Sequence, residues 1–223
     1  MIETPELYFL VLEFHGDGTL DPFSYLNEDN HADPIQMSEH YIQKIIKSVL
    51  QALGYLHRHR MIHGDVKPAN ILLNGNNDDD TIVAKLADFG LCSEPLSIVD
   101  QPNPVNGGTP YFCPPEVFEE GGYQNKTCKA DVYALGVTLW SLFDDPFRGE
   151  FDIDSPEQFA GLLAQERGPW GDLSDFEDFR IRDFIASAVC YDVDNRASVE
   201  DLLSSSFMKA VYDKDILNSF LIF

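Results

Sequence analysis

The sequence predicts an α+β fold that is mostly helical, with short β-strands flanking a single loop. Apolar residues recur at helical spacing between Ser38 and His57, and a nearly continuous apolar run fills Asp131 to Phe143. Between them, two short apolar runs are separated by the strongly turn-forming Asn74-Gly75-Asn76-Asn77-Asp78-Asp79-Asp80, which predicts a strand pair. The 223 residues, 44% of them hydrophobic, are enough to bury a sizeable core, and neither repeats nor low-complexity segments interrupt the chain.

In chain order, Leu7-Tyr8-Phe9-Leu10-Val11-Leu12-Glu13 is apolar, with aromatic and β-branched members, and reads as a buried strand. His15-Gly16-Asp17-Gly18 ends it in a turn or hinge. The helix expected from Ser38 to His57 aligns Ile42, Ile45, Ile46, Val49, Leu50 and Leu53 on one face, and Ser38 is placed to cap it. Ile71-Leu72-Leu73 and Thr81 to Ala87 form the strand pair. From Leu91 to Gly108 the periodicity is lost among Pro95, Pro102, Pro104, Gly107 and Gly108, which predicts a surface loop. Asp131 to Phe143, apolar nearly all round, predicts a central helix buried on most sides. Ser155 to Glu166, Phe176 to Val189 and Ser198 to Met208 have mixed faces and predict surface-packed helices, followed by a short tail to Phe223.

The formal net charge is −23, with Asp+Glu 38 against Lys+Arg 15. A field of that sign repels nucleic acid and anionic membranes, so neither is expected as a partner. The carboxylates read first as a solvated surface and second as a face for basic peptides. No apolar run approaches the length of a membrane span, and Met1-Ile2-Glu3-Thr4-Pro5-Glu6 lacks the basic start of a secretory signal, so an intracellular location, cytoplasmic or nuclear, is expected. Cys92, Cys113, Cys128 and Cys190 are scattered without metal-binding spacing, as reduced thiols are. No heptad run marks an oligomer.

The chemistry concentrates around the first half of the chain. Asp65 and Asn70 stand at a helix-to-strand junction, where a tight loop aims both side chains into one cleft, and Lys67 lies between them. A carboxylate can accept or orient the proton of an attacking hydroxyl, a lysine beside it can neutralise a phosphoryl group in transit, and an amide oxygen with a second carboxylate, Asp88, can hold magnesium. Gly90 then permits a backbone turn close to that metal. Taken singly, Asp88 is a turn aspartate, His63 a packed histidine, and Phe89, Leu72 and Leu12 are core residues. As a group, Asp65, Lys67, Asn70 and Asp88 point to chemistry, because buried carboxylates cost stability unless paired or metal-bound.

The segments HGDVKPAN from His63, ADFG from Ala87, GGTPYFCPPE from Gly107 and DVYALG from Asp131, with Arg196 near the end, stand in the order found in eukaryotic protein kinases. The chain resembles that family over residues 7 to 208, and Lys67-Pro68 resembles its serine/threonine type. The resemblance implies a protein-kinase-like C-lobe, in which Asp65 and Lys67 are catalytic and Asn70 and Asp88 bind magnesium. It also implies that Leu12, Glu13 and Phe14 form the gatekeeper and hinge and that Leu72 is the floor beneath adenine, with ATP and Mg2+ as cofactors and a protein as substrate. By the same resemblance Glu116 pairs with Arg196, Asp131 accepts backbone hydrogen bonds from the catalytic loop, His63 and Phe89 belong to a hydrophobic spine, and Thr109 helps orient Asp65 and Lys67. The implied division is a residual N-lobe strand and hinge over 1–17, the C-lobe over 18–208 and a C-terminal tail over 209–223.

The sequence also departs from the family. The glycine-rich loop, strand lysine and helix glutamate of the family's N-lobe have no counterpart, and the first lysine is Lys44, inside the long helix. Gly64 stands where many members have an arginine that receives an activation-loop phosphate, so constitutive or differently regulated activity is expected. Pro114 replaces an alanine, and the acidic stretch from Asn74 to Asp80 looks like a surface insertion. Two functions follow: a serine/threonine kinase, or a non-catalytic, pseudokinase-like scaffold or regulatory binding module.

Overall fold

In a computed structural model of the chain, the structure describes residues 2–3, 8–9, 13–21, 37–75, 82–93, 110–118, 126–143, 173 and 176–209. The first helix, α1 (Glu39–Arg58), matches its expectation closely. Ser38 Oγ accepts the Tyr41 N–H at 3.2 Å, satisfying one of the amides that a helix start leaves without a partner. The expected strand pair is also present. Strands β3 (Ile71–Asn74) and β4 (Val83–Leu86) run antiparallel, with Ile71 opposite Leu86 and Leu73 opposite Ala84. Those four side chains share the buried face and join the same core as the apolar stripe of α1. Residues 18–20 extend the other edge of β3, where Leu73 N donates to Gly18 O and Leu20 N to Ile71 O, both at 2.9 Å.

The opening apolar run is a strand where it is described, as expected, but its end at Glu13 is not buried. Its described strand, β2 (Tyr8–Phe9), is short and pairs antiparallel with an unanticipated strand, β1 (Ile2–Glu3). Beyond it the chain is not buried: Glu13 is exposed and Phe14 is 88% exposed. Phe14 stands just before the turn at Gly16 and Asp17. Leu7 and Leu10 to Leu12 lie outside the described residues.

The central helix, α2 (Cys128–Ser141), begins three residues before the expected Asp131 because Thr127 caps it, its side chain accepting the Lys129 N–H at 3.2 Å. Its residues from Ala130 to Ser141 are buried. Helix α3 (Phe179–Ala188) starts later than expected, where Asp178 caps it by accepting the Arg180 N–H at 2.8 Å. It packs closely on α2 at Gly136, where a Cβ would lie 2.7 Å from that of Ala188. The single helix expected from Ser198 to Met208 is broken. Helix α4 (Val199–Leu203) has a reciprocal Ser198–Asp201 capping box, and a new helical turn over 206–209 is capped by Ser205 Oγ, which accepts the Met208 N–H at 3.3 Å. Serine side chains compete for backbone partners, and three in a row after Leu203 break a continuous helix. Phe184 and Phe207 meet edge to face at 5.4 Å and hold α3 to this last turn.

The expected helix from Ser155 to Glu166, the surface loop beyond Ser93 up to Gly108, and the tail beyond Lys209 lie outside the described residues. No helix among the described residues is long and apolar enough to cross a membrane. The long α1 and buried α2 flank residues 59–70, and β3 and β4 carry the chain away from and back to that loop. This arrangement places Asp65 and Asp88 at neighbouring ends of the strand pair.

Candidate active site

The loop is anchored before any reactive group is placed. Ile62 and Ser93 exchange backbone hydrogen bonds at 2.8 and 3.0 Å, and Val66 is buried in the core. Asp131, in the first turn of α2 and almost wholly buried, accepts the His63 N–H through Oδ2 at 2.9 Å and the Gly64 N–H through Oδ1 at 2.8 Å. His57, in the last turn of α1, meets the same Oδ2 through Nε2 at 2.9 Å. The two backbone hydrogen bonds to Asp131 are those the family resemblance implies, whereas His57 becomes legible as its partner only once α1 and α2 are packed.

His63 is a relay of contacts rather than a proton donor to substrate. Nε2 bonds the Ala87 carbonyl at 3.0 Å, and Nδ1 accepts the Asp65 N–H at 3.3 Å, an arrangement that suits the neutral ring. Burial pushes its pKa below the usual histidine value, against the opposing pull of Asp131. Its ring meets Phe89 edge to face at 5.2 Å.

Asp65, Lys67 and Asn70 converge. Lys67 Nζ lies 3.1 Å from Asp65 Oδ2, and Asn70 Nδ2 donates to both the Asp65 carbonyl and Oδ2 at 2.8 Å. Both amide hydrogens of Asn70 therefore point at acceptors, which fixes the amide orientation and turns Oδ1 away from Asp65. The 3-10 turn Pro68–Asn70 sets this geometry, with Pro68 at its start, where no backbone donor is needed. The backbone of Asn70 accepts the Ala87 N–H at 2.8 Å, so the residue before Asp88 is tied directly to the loop.

Asp88 itself is exposed and takes a left-handed conformation, φ 61° and ψ 76°, with Oδ1 accepting the Gly90 N–H at 3.2 Å. Aspartate tolerates this region through such local bonds. The left-handed residue at this turn is Asp88. Gly90 supplies room: a Cβ there would sit 3.1 Å from Asp88 Oδ1.

The nucleotide-side candidates are placed less uniformly. Leu72 is half-buried on β3, opposite Lys85 and bridged to Thr19. Lys85 reaches Glu13 in an ion pair, which holds the Glu13 carboxyl below its usual range. That pair ties residue 13 to β4 and has no sequence signal, because its partners are separated by α1. Phe14 projects outward and Leu12 lies outside the described residues, as does Thr109. Farther down, Arg196 grips Glu116 in two parallel bonds of 2.8 and 2.9 Å, both side chains buried, with Tyr133 stacked 4.9 Å from the guanidinium carbon.

A family model described as the protein kinase domain matches residues 1–208. The chain belongs to the protein kinase family. Relatives of the serine/threonine type include the three that follow. It is 31% identical over 214 residues to the serine/threonine-protein kinase hippo of Drosophila melanogaster, covering 96% of this chain and 29% of that protein. It is 29% identical over 214 residues to the serine/threonine-protein kinase SKM1 of Saccharomyces cerevisiae, covering 93% and 30%. A third relative, serine/threonine-protein kinase 4 homolog B of Dictyostelium discoideum, is 30% identical over 204 residues, covering 92% and 17%. This kinase-family chain thus spans less than a third of the length of these relatives.

Proposed function

We propose that the chain carries the phosphoryl-transfer site of a protein serine/threonine kinase, moving the γ-phosphate of ATP to a protein hydroxyl. The observation that carries this reading is the convergence of Lys67 and Asn70 on the Asp65 carboxylate. Asp65, held by those two groups, orients the acceptor hydroxyl and takes its proton as the oxygen bonds to the γ-phosphorus and the bond to the leaving ADP breaks. Lys67 offsets the negative charge gathered on the transferring group. Asn70 Oδ1 and the Asp88 carboxylate are hard oxygen donors of the kind magnesium takes alongside phosphate oxygens and water. Among the described residues no cluster of three or more His, Cys, Asp or Glu forms a cage, and a metal shared with a nucleotide does not require one. When bound, Mg2+ supplies charge neutralisation at the β- and γ-phosphates.

Glu13 and Leu72 are the nucleotide-side groups in this reading, together with Leu12 and Phe14. Residues 1–17 act as strand and hinge, 18–208 as a kinase C-lobe and 209–223 as a tail. The net charge of −23 favours substrates with basic residues near the acceptor. An intracellular location, cytoplasmic or nuclear, goes with this reading. The test is ATP-dependent phosphorylation of a basic peptide, with Asp88→Ala as control. Transfer above the control supports the kinase; transfer equal to it favours a binding module.

A further inference from the structure

Gly64 has φ +85°, and a Cβ built on it would lie 2.9 Å from the Leu91 carbonyl oxygen and 3.0 Å from Lys126 Nζ. The residue has no side chain, yet a cation occupies the space beside it. Lys126, just ahead of α2, donates through Nζ to the Gly64 carbonyl at 3.0 Å. That carbonyl belongs to the same peptide unit as the Asp65 N–H, which is bound on its other side by His63 Nδ1 at 3.3 Å. The preceding peptide is held by Asp131 Oδ1 on the Gly64 N–H at 2.8 Å. Opposite charges from one short segment, Lys126 and Asp131, therefore grip successive peptides leading into Asp65. The Lys126 charge also reaches the Cys92 thiol, where it works against the larger upward push of burial.

We propose that Lys126 is a positioning residue for Asp65, acting through the Gly64 carbonyl. A charge-assisted hydrogen bond fixes the Gly64-Asp65 peptide, and the direction of that peptide sets where the Asp65 side chain starts. Gly64 has no side chain to contribute a donor, and Lys126 brings one to its carbonyl. Because Lys126 is only half-buried, its substitution leaves the core intact.

The catalytic part of this inference rests on the kinase reading; the loop geometry does not. The test uses the intact protein with Lys126→Met and Lys126→Arg, and Asp65→Asn to set the zero of activity. Loss of a charge-assisted hydrogen bond predicts about tenfold faster amide hydrogen exchange at Gly64 and Asp65 in Lys126→Met. It also predicts about tenfold lower kcat, KM values within about twofold of wild type, a Tm lower by about 3–6 °C, and recovery of exchange, kcat and Tm in Lys126→Arg. Exchange at Gly64 and Asp65 unchanged in Lys126→Met overturns the inference, and so does unchanged kcat when wild type clearly exceeds Asp65→Asn. If wild type is no more active than Asp65→Asn, the kinase reading fails, and the exchange rates alone decide whether Lys126 holds the loop.

Discussion

Replacing Asp131 with asparagine removes one carboxylate oxygen from a site where both are in use. Oδ1 accepts the Gly64 N–H at 2.8 Å, while Oδ2 accepts the His63 N–H and meets His57 Nε2, both at 2.9 Å. Whichever way the amide is turned, its NH2 faces a buried backbone N–H and leaves it without an acceptor. If the NH2 replaces Oδ2, His57 must also present its other tautomeric state to it. A hydrogen bond to a charged group contributes about 1.5–3 kcal/mol, and an orphaned buried donor costs about 1–3 kcal/mol, terms that overlap rather than add. Asp131 is 1% exposed, so water does little to soften the change. We expect Asp131→Asn to lower unfolding free energy by about 3 kcal/mol. Urea denaturation followed by tryptophan fluorescence measures it, with the m-value checked for constancy. A loss below about 0.5 kcal/mol would refute the assignment of Asp131 as the clamp of the loop.

Further expectations follow from the same geometry. Glu116→Ala leaves the buried Arg196 guanidinium without its carboxylate and should destabilise by about 3–5 kcal/mol in the same denaturation assay; an effect under about 1 kcal/mol would show that the pair is exposed to water in solution. Gly64→Ala forces a Cβ against the Leu91 carbonyl at positive φ and should cost about 1–3 kcal/mol; a stability equal to wild type would mean that the loop has another conformation. His63 has a folded pKa below the ordinary 6.5 because burial favours its neutral form. Its contribution is therefore fully present above pH 6.5 and is lost as pH falls from there towards the depressed folded value, with a slope of at most about 1.4 kcal/mol per pH unit. Stability measured from pH 7.5 to 5 should fall less steeply for His63→Gln than for wild type, and parallel curves would contradict the assignment.

Much of this fold is legible in the sequence where one local rule dominates. The stripe from Ile42 to Leu53 and the Ser38 cap specify α1, and the turn-rich segment after Asn74 specifies the β3–β4 pair. The same rules fail where tertiary packing or capping competes with periodicity. Glu13 closes a run that reads as a buried strand, yet it is exposed; Ser204 to Ser206 interrupt a helix whose apolar pattern continues to Met208. At the site, the spacing of Asp65, Lys67 and Asn70 foretells that their side chains meet, because all three lie on one short loop. His57, Lys85 and Lys126 escape notice because each acts on a residue far away in sequence, respectively Asp131, Glu13 and Gly64. Their role appears only when the elements carrying them are packed.

The central claim is that Asp65 accepts the proton of a protein hydroxyl during phosphoryl transfer. It is tested most directly by comparing the rate at which wild type and Asp65→Asn transfer labelled γ-phosphate from Mg–ATP to a basic serine peptide. Asparagine retains the size of the side chain and removes the base, so kcat should fall by about 10²- to 10⁴-fold while stability changes little. Equal rates for the two proteins would contradict the account.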